Sequence, residues 1–519
     1  MIVDKTRRRF LCATAVGTAS LALPFAFRGQ VWAATNEVLS VAIPSNPQTL
    51  DPINQPNHDV MAINQLIFEN LVSIDANGRR VPQLAQSWEI SEDKKTYTFD
   101  LRRDVTFHNG QPFSATDVKY SFDYVRNPDN KAFRRQFWSV IESTTVVDTY
   151  IVEIKLTRPY RPFLDNMNKY MGIFPVGSRE KYGADAFKYS PVGLGTGPAI
   201  FVRAKNNDFV ELRSNPNYWA KNVPQWRKLV FRVIPEESSR LASLLSSQTQ
   251  IISSPPAQSF AKIRNSAGLA GDFKSSPTSP LAICMNTQKP PFDDIKFRQA
   301  ASLVLDREQI CNDICYGAVS ATATPYAKDS PWFDAQSSAA LDFNLEKAKA
   351  LLKESKYATG ASFELLYVTP AYLIDTSTVA LVVQAQFAKI GVSVNLKPVD
   401  FGQMISQLAV GNHMAALAAF IAPPEPTYFL NMVMRKKEGL SKAVGYDNPQ
   451  LTQLLDDSYL FNDDTALQPT LNNIQRLLAQ ECPIVWIGSL VVQNLWRREV
   501  KDFTSNSGFT LKLENVSLS

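Results

Sequence analysis

The sequence predicts an α/β protein divided over more than one domain, and three observations carry that expectation. Alternating, strand-like stretches and helix-spaced apolar stretches interleave along the chain. From Asn344 onward the pattern becomes a regular βα rhythm. The length, 519 residues, exceeds what one hydrophobic core usually encloses. Composition agrees: 45% hydrophobic and 20% charged residues mark an ordinary globular protein, without internal repeats, low-complexity tracts or a long linker.

The N-terminus reads as an export leader. Thr6-Arg7-Arg8-Arg9-Phe10-Leu11 resembles a twin-arginine signal, a moderately apolar segment runs from Leu11 to Phe27, and Val31-Trp32-Ala33 offers small residues for cleavage. Residues 1–33 are therefore read as a twin-arginine signal peptide handled by the twin-arginine export machinery and cleaved near Ala33. Pro24 and Arg28 interrupt the segment, which argues against a membrane anchor. The formal charge of +5 comes largely from this leader, since removing it leaves 49 basic and 48 acidic residues. A nucleic-acid partner loses its electrostatic support, and the expectation is a soluble, monomeric, periplasmic protein. Cys284, Cys311, Cys315 and Cys482 remain after cleavage, as structural thiols or in one or two bridges of undetermined pairing.

Leu39 to Ile43 predicts the first strand, with a loop through Pro52. Ile63, Leu66, Ile67 and Leu71 have helical spacing. The rest of the chain is organised around the stretch from Val81 to Val125. Tyr97, Phe99 and Leu101 alternate with polar residues as a half-buried strand, and Asn109-Gly110 supplies a tight turn. Ser114 and Asp117 form a capping box for a helix whose apolar face is Val118, Phe122 and Val125, ending near Asn127-Pro128.

The same stretch carries a resemblance. Pro82-x-Leu84-Ala85-x-Ser87-Trp88-Glu89, Tyr97-Thr98-Phe99-x-Leu101-Arg102, Val105-x-Phe107-His108-Asn109-Gly110-x-Pro112-Phe113 and Ala115-x-Asp117-Val118-x-Tyr120-Ser121-Phe122 together resemble the signature of the family 5 extracellular solute-binding proteins. These are the oligopeptide, dipeptide, nickel and opine receptors of ABC importers. Phe68-Glu69-Asn70-Leu71-Val72, Gly195-Thr196-Gly197-Pro198, Asn215-Pro216-Asn217-Tyr218-Trp219, Met285-Asn286-Thr287 and Gly445-Tyr446-Asp447-Asn448-Pro449 resemble further markers of that family.

The resemblance implies a two-lobed periplasmic binding protein (type II, cluster C) with an extra subdomain inserted in the first lobe. Lobe 1 is expected to comprise residues 34–59, 188–283 and 486–519, the inserted subdomain 60–187, and lobe 2 residues 284–485. Val146 and Ile151 to Leu156 are read as subdomain strands, and Phe133, Phe137 and Trp138 as core or ligand-facing aromatics. In lobe 1, Glu236 to Thr249 is read as a helix with Leu241, Leu244 and Leu245 inward. In lobe 2, Asn344 caps a helix, Phe363 to Tyr367 and Val392 to Leu396 alternate as strands, and Gly391 ends the helix between them. Leu471 to Leu478 marks the last long helix, and Ile484 to Val492 the closing strand.

Catalytic and metal motifs do not stand out. The three histidines, His58, His108 and His413, form no His-Glu-x-x-His; His108 falls in a turn where a structural hydrogen bond is expected, and His413 is read on a helix. There is no Gly-x-Ser-x-Gly elbow. No catalytic residue, cofactor or metal ligand is assigned, and the expectation is a receptor rather than an enzyme. It would pass a small-molecule solute to an inner-membrane ABC permease. A metal-chelate receptor of the same family and a secreted hydrolase stay as alternatives.

For the solute site the resemblance points to an interlobe cleft bordered by Asn46, Gln48, Phe401, Met404, Phe420, Pro423, Glu425, Tyr428 and Arg435. In peptide-binding relatives a segment like Phe420 to Asn431 carries an acidic residue for the peptide amino group. Here Pro423 takes that register, with Glu425 as substitute or structural residue. Leu408 and Leu417 stand where some peptide receptors place arginines for the carboxyl end. A buried amino group lacking a counter-charge costs several kcal/mol. The expected solute is therefore neutral or aromatic, a capped or modified peptide, or an oligosaccharide.

Overall fold

The first strand, Val38–Ile43, lies inside the largest sheet, flanked in parallel by Lys228–Val233 and Ile251–Ser253. Leu39, Val41, Ala42 and Ile43 are fully buried, as a strand covered on both faces requires. The computed structural model describes residues 38–519 apart from 56–57, 76–77, 370–372, 437–438 and 462. The expected leader, its arginines and its cleavage site lie outside the described residues.

The sheet has eleven strands. From one edge run Val392–Val399, Ala361–Val368 and Ala415–Ala419, parallel to one another. The long strands Leu269–Met285 and Ile484–Arg497 come next, paired antiparallel. Ile251–Ser253, Val38–Ile43, Lys228–Val233, Phe209–Ser214 and Ala199–Lys205 complete the order, with Val319–Ala321 added on Ile484–Arg497. The sheet thus has a parallel half and a mixed half, in which Phe209–Ser214 pairs antiparallel with both its neighbours, joined by two shared long strands. Their ladder shifts register between Ser275 and Pro280.

A separate antiparallel sheet, in the order Ala85–Ile90, Thr96–Leu101, Ile151–Leu156, Ile141–Asp148, forms the region between the first strand and Ala199. The expected alternation holds, with Tyr97, Phe99 and Leu101 inside. Helix Ala115–Arg126 comes after its second strand, with Val118, Phe122 and Val125 fully buried. The Asp117 carboxylate accepts from the Ser114 backbone N–H at 2.9 Å. Gly110 turns the chain at φ +85°. His108 has the expected structural role: Nε2 meets the Gly197 carbonyl at 2.9 Å, and burial pulls its pKa to about 4. Gly195 and Gly197 lie against a neighbouring turn, where an added Cβ would sit 1.9 Å from the Ile67 carbonyl oxygen and 2.2 Å from that of Leu66.

Four expectations need correction. The first helix among the described residues is His58–Ile67 and stops before Leu71, which leads instead into the strand Val72–Ile74. The lobe 1 helix is Glu237–Leu245, and Leu245 is 57% exposed. Its inward face is Arg240, Ser243 and Leu244, because the Arg240 guanidinium donates to the carbonyls of Ile234, Pro235, Ser253 and Ser254 and so satisfies loop ends that an apolar side chain could not. Trp138 is core, packed edge-on against Phe122 and Phe163, whereas Phe133 is exposed. His413 is not helical: it lies beyond the end of helix Phe401–Val410 and meets the Ala443 carbonyl at 2.9 Å. The four cysteines are buried free thiols.

Candidate functional site

The region that carries the separate antiparallel sheet meets the later part of the chain along a seam built by two helices. Helix Pro426–Met434 starts at Glu425, with Pro426 at its first turn, where a missing N–H costs nothing. The Glu425 carboxylate accepts from the Thr427 N–H at 3.1 Å and the Thr427 hydroxyl at 2.8 Å. Opposite stands Arg161, just before helix Phe163–Tyr170. Its Nε donates to Glu425 at 2.9 Å, one terminal nitrogen donates to the Phe461 carbonyl at 2.9 Å, and the other pairs with Asp464. The Arg161 and Glu425 side chains are only 3% and 1% exposed. Burial raises the Glu425 pKa and the Arg161 charge opposes that rise.

Beside this pair lies an aromatic cluster. Phe137 stacks on Tyr170 with centroids 4.2 Å apart, and Tyr428 from the facing helix lies 6.1 Å from Phe137 and 6.4 Å from Tyr170. The Arg134 guanidinium sits 4.5 Å over Tyr170. Next to Tyr170, Lys169 is buried, and its Nζ reaches the Gly508 carbonyl at 3.4 Å. Burial first, and then the Arg134 charge, pull the Lys169 pKa down to about 7. The seam therefore sets stacked aromatic rings beside buried positive charge.

Among the sequence-selected residues, Glu425 and Tyr428 stand in this seam. Phe420 and Pro423 adjoin them, Phe420 packed 5.1 Å from Phe429 and the Pro423 carbonyl accepting from Thr278 Oγ1 at 2.7 Å. Met404 is buried, and Phe401, on the same helix, is 43% exposed. Arg435 pairs with Asp456, donates to Asn431 and covers the Tyr459 ring. Asn46 is bonded to Asn206 and to the backbone of Asn207, and Gln48 is near it in the same loop. Leu408 and Leu417 are fully buried core residues.

Sequence reading missed Arg161, Lys169, Arg134 and Tyr170. A signal was present for one: a lysine inside Met167-Asn168-Lys169-Tyr170-Met171, a stretch otherwise fit for the interior. A cavity of about 210 Å³ lined by Phe273, Ser275, Glu308, Lys328 and neighbours contains none of the selected residues. Among the described residues no group of three or more His, Cys, Asp or Glu could hold a metal ion.

Residues 79–440 match the model of the bacterial extracellular solute-binding proteins, family 5. The chain belongs to that family. As a family 5 protein it is a solute-binding protein of an ABC importer. It is 28% identical over 421 residues to the glutathione-binding protein GsiB of Pectobacterium atrosepticum, covering 79% of this chain and 76% of that one. It is 26% identical over 466 residues to the dipeptide-binding protein of Escherichia coli, covering 84% and 86%. HbpA2 from Haemophilus parasuis superposes with a TM-score of 0.81 at 24% identity, covering 93% of this chain and all of that one. NikA from Brucella suis in complex with Fe(III)-EDTA gives 0.80 at 22%, with 93% and 100% covered. These likenesses show the two-lobed periplasmic binding protein fold.

Proposed function

We propose that this family 5 protein is a periplasmic receptor, without catalytic activity, that captures a small peptide-like, modified-peptide or aromatic solute between its lobes and delivers it to an inner-membrane permease. The observation that carries the solute class is the engagement of Glu425. Its carboxylate is held by Arg161 and Thr427, and Pro423 presents only its carbonyl, itself hydrogen-bonded to Thr278. A free peptide amino group would have to break a buried ion pair to be anchored here, at a cost of several kcal/mol. Recognition then falls to the ring cluster of Phe137, Tyr170 and Tyr428.

In this reading the lobes are the segments 34–59, 188–283 and 486–519 against 284–485, with 60–187 inserted. Solute contacts made only when the lobes approach favour the closed state. The protein works as a monomer and reaches the periplasm through the twin-arginine machinery. Changing Arg7 and Arg8 together to Lys blocks that export, so precursor accumulates in the cytoplasm; normal periplasmic yield would remove this route.

A thermal-shift screen of the mature protein tests the solute class, because a ligand bound only by the folded state raises the melting temperature. Shifts with N-acetylated peptides, opines or aromatic solutes are expected. A shift confined to free di- and tripeptides would overturn the role given to Glu425. A shift confined to metal chelates would favour the family's other branch.

A further inference from the structure

The run Ser275-Ser276-Pro277-Thr278-Ser279-Pro280 cannot continue a regular β-ladder, because its two prolines have no N–H to donate. It lies inside the strand Leu269–Met285, whose pairing with Ile484–Arg497 steps from Ser275 opposite Val491 to Pro280 opposite Ser489. Ser276 to Ser279 therefore bulge against the single residue Leu490. The bulge falls where the halves of the sheet are joined. On one side of it Leu281 to Met285 pair with Ala415–Ala419; on the other, Leu269 to Ser275 pair with the part of Ile484–Arg497 that also carries Ile251–Ser253.

Ser276, Thr278 and Ser279 are buried, so their hydroxyls need partners inside the protein. They take over the bonds that the broken ladder leaves. The Ser489 hydroxyl donates to the Ser276 carbonyl, and the Ser276 hydroxyl to that of Ser279 at 2.7 Å. Ser279 Oγ accepts from the Ala422 N–H at 3.1 Å, and Thr278 Oγ1 donates to the Pro423 carbonyl at 2.7 Å. The Phe420 N–H donates to the Pro280 carbonyl at 3.0 Å. The segment from Phe420 to Pro423 belongs to no helix or strand; it runs from the end of Ala415–Ala419 to the cap of Pro426–Met434, the helix of Tyr428. Phe420, Ile421, Ala422 and Pro423 carry no polar side chain that could fix its course. That is done by Thr278 and Ser279, 145 and 143 positions earlier in the chain.

We propose that Thr278 and Ser279 are positioning residues of the solute site, holding the Phe420–Pro423 segment, and through it the start of the Tyr428 helix, in the arrangement that accepts solute. The inference rests on the receptor reading under Proposed function and adds to it two residues placed by the joint between the sheet halves rather than by the aromatic seam. Without the hydroxyls the segment populates other courses, and a solute meets the competent one in a smaller fraction of molecules. That lowers the association rate and leaves the dissociation rate unchanged.

The test compares mature wild type with Thr278→Val, which keeps the side-chain shape and loses the donor, Thr278→Ser, which restores a hydroxyl, and Ser279→Ala. Amide hydrogen exchange without solute is the first readout. In Thr278→Val the Phe420 and Ala422 amides, neither of which bonds to Thr278, should exchange about tenfold faster, with Leu269 to Ser275 unchanged and Thr278→Ser close to wild type. Unchanged exchange at Phe420 and Ala422 would overturn the proposal, and so would an equal rise along the whole strand, which reports lost stability alone. Binding kinetics with N-acetylated dipeptides, octopine and glutathione are the second. For a probe that wild type binds, Thr278→Val and Ser279→Ala should lower the association rate about three- to tenfold at an unchanged dissociation rate, and Thr278→Ser should recover it. Wild-type kinetics in both variants would overturn the positioning role and leave the receptor reading intact; a change confined to dissociation would also overturn it, because it marks direct contact with solute. If wild type binds none of the probes, the receptor reading loses its support and the exchange comparison alone decides: a rise confined to Phe420 and Ala422 supports the positioning of the segment, and any other pattern overturns it.

Discussion

Two buried cations lie on either side of one helix, Phe163–Tyr170, and the protein treats them in opposite ways. Arg161, before its first turn, is closed by Glu425 and Asp464 reaching across from the second half of the molecule. Lys169, in its last turn, has a backbone carbonyl at 3.4 Å and a like charge for company. The first arrangement spends its charge on holding two regions together. The second leaves its ammonium with a carbonyl and, among the described residues, no carboxylate.

Removing Arg161 should break the contrast most strongly. Arg161→Met leaves Glu425 buried without its partner and should cost about 3–5 kcal/mol of stability, read from the urea midpoint. A loss near zero would mean that the pair contributes nothing to closure. Glu425→Gln is milder, because an amide keeps the helix cap and Arg161 retains Asp464; a loss of about 1–3 kcal/mol is expected by the same measurement. Small-angle scattering of the solute-free variant should show a larger radius of gyration if the pair holds the lobes closed.

The smallest effect sharpens the other side. The folded pKa of Lys169, about 7, lies below its ordinary 10.5. Between those values the unfolded chain holds a proton that the folded one has released. Stability therefore rises with pH across that window and is lost as pH falls through 7. Glu69 works in the opposite sense, since burial lifts its pKa from 4.5 to about 7, outweighing its hydrogen bonds to Tyr218 and Trp219, so its contribution falls as pH rises to neutrality. Subtracting the melting profile of Lys169→Met from that of wild type cancels Glu69. The difference should climb between pH 7 and 10, with Arg134 as the charged neighbour setting its position; a flat difference would show that Lys169 is not desolvated.

The fold was legible wherever its determinants are local. The two-residue alternation at Tyr97 to Leu101, the Asn109-Gly110 turn and the Ser114–Asp117 cap each depend on residues within a few positions of one another, and each formed as read. Leu245 was misassigned because a helical stripe of leucines does not reveal that four loop carbonyls nearby require an arginine. The proposed site was legible only in part. Tyr428 and Glu425 were picked out by a motif, yet what Glu425 does is fixed by Arg161, 264 positions away. Asn46 was selected from a loop that family resemblance places at the cleft, and its amide is committed to the Asn206–Asn207 turn. Lys169 stood in a stretch read only as the remainder of a subdomain, because neither its burial nor its lack of a counter-charge is written in neighbouring residues.

The shared strands have a consequence for how the chain acquires its shape. Ile484–Arg497 pairs with Ile251–Ser253 in one half and with Leu269–Met285 along both. Neither half of the sheet can be completed until nearly the whole polypeptide has been synthesised. Pairings over such sequence separations are slow, and until they form the edges they cover are open to other chains. A polypeptide cut short before Ile484 would keep more than nine-tenths of its residues and finish neither half.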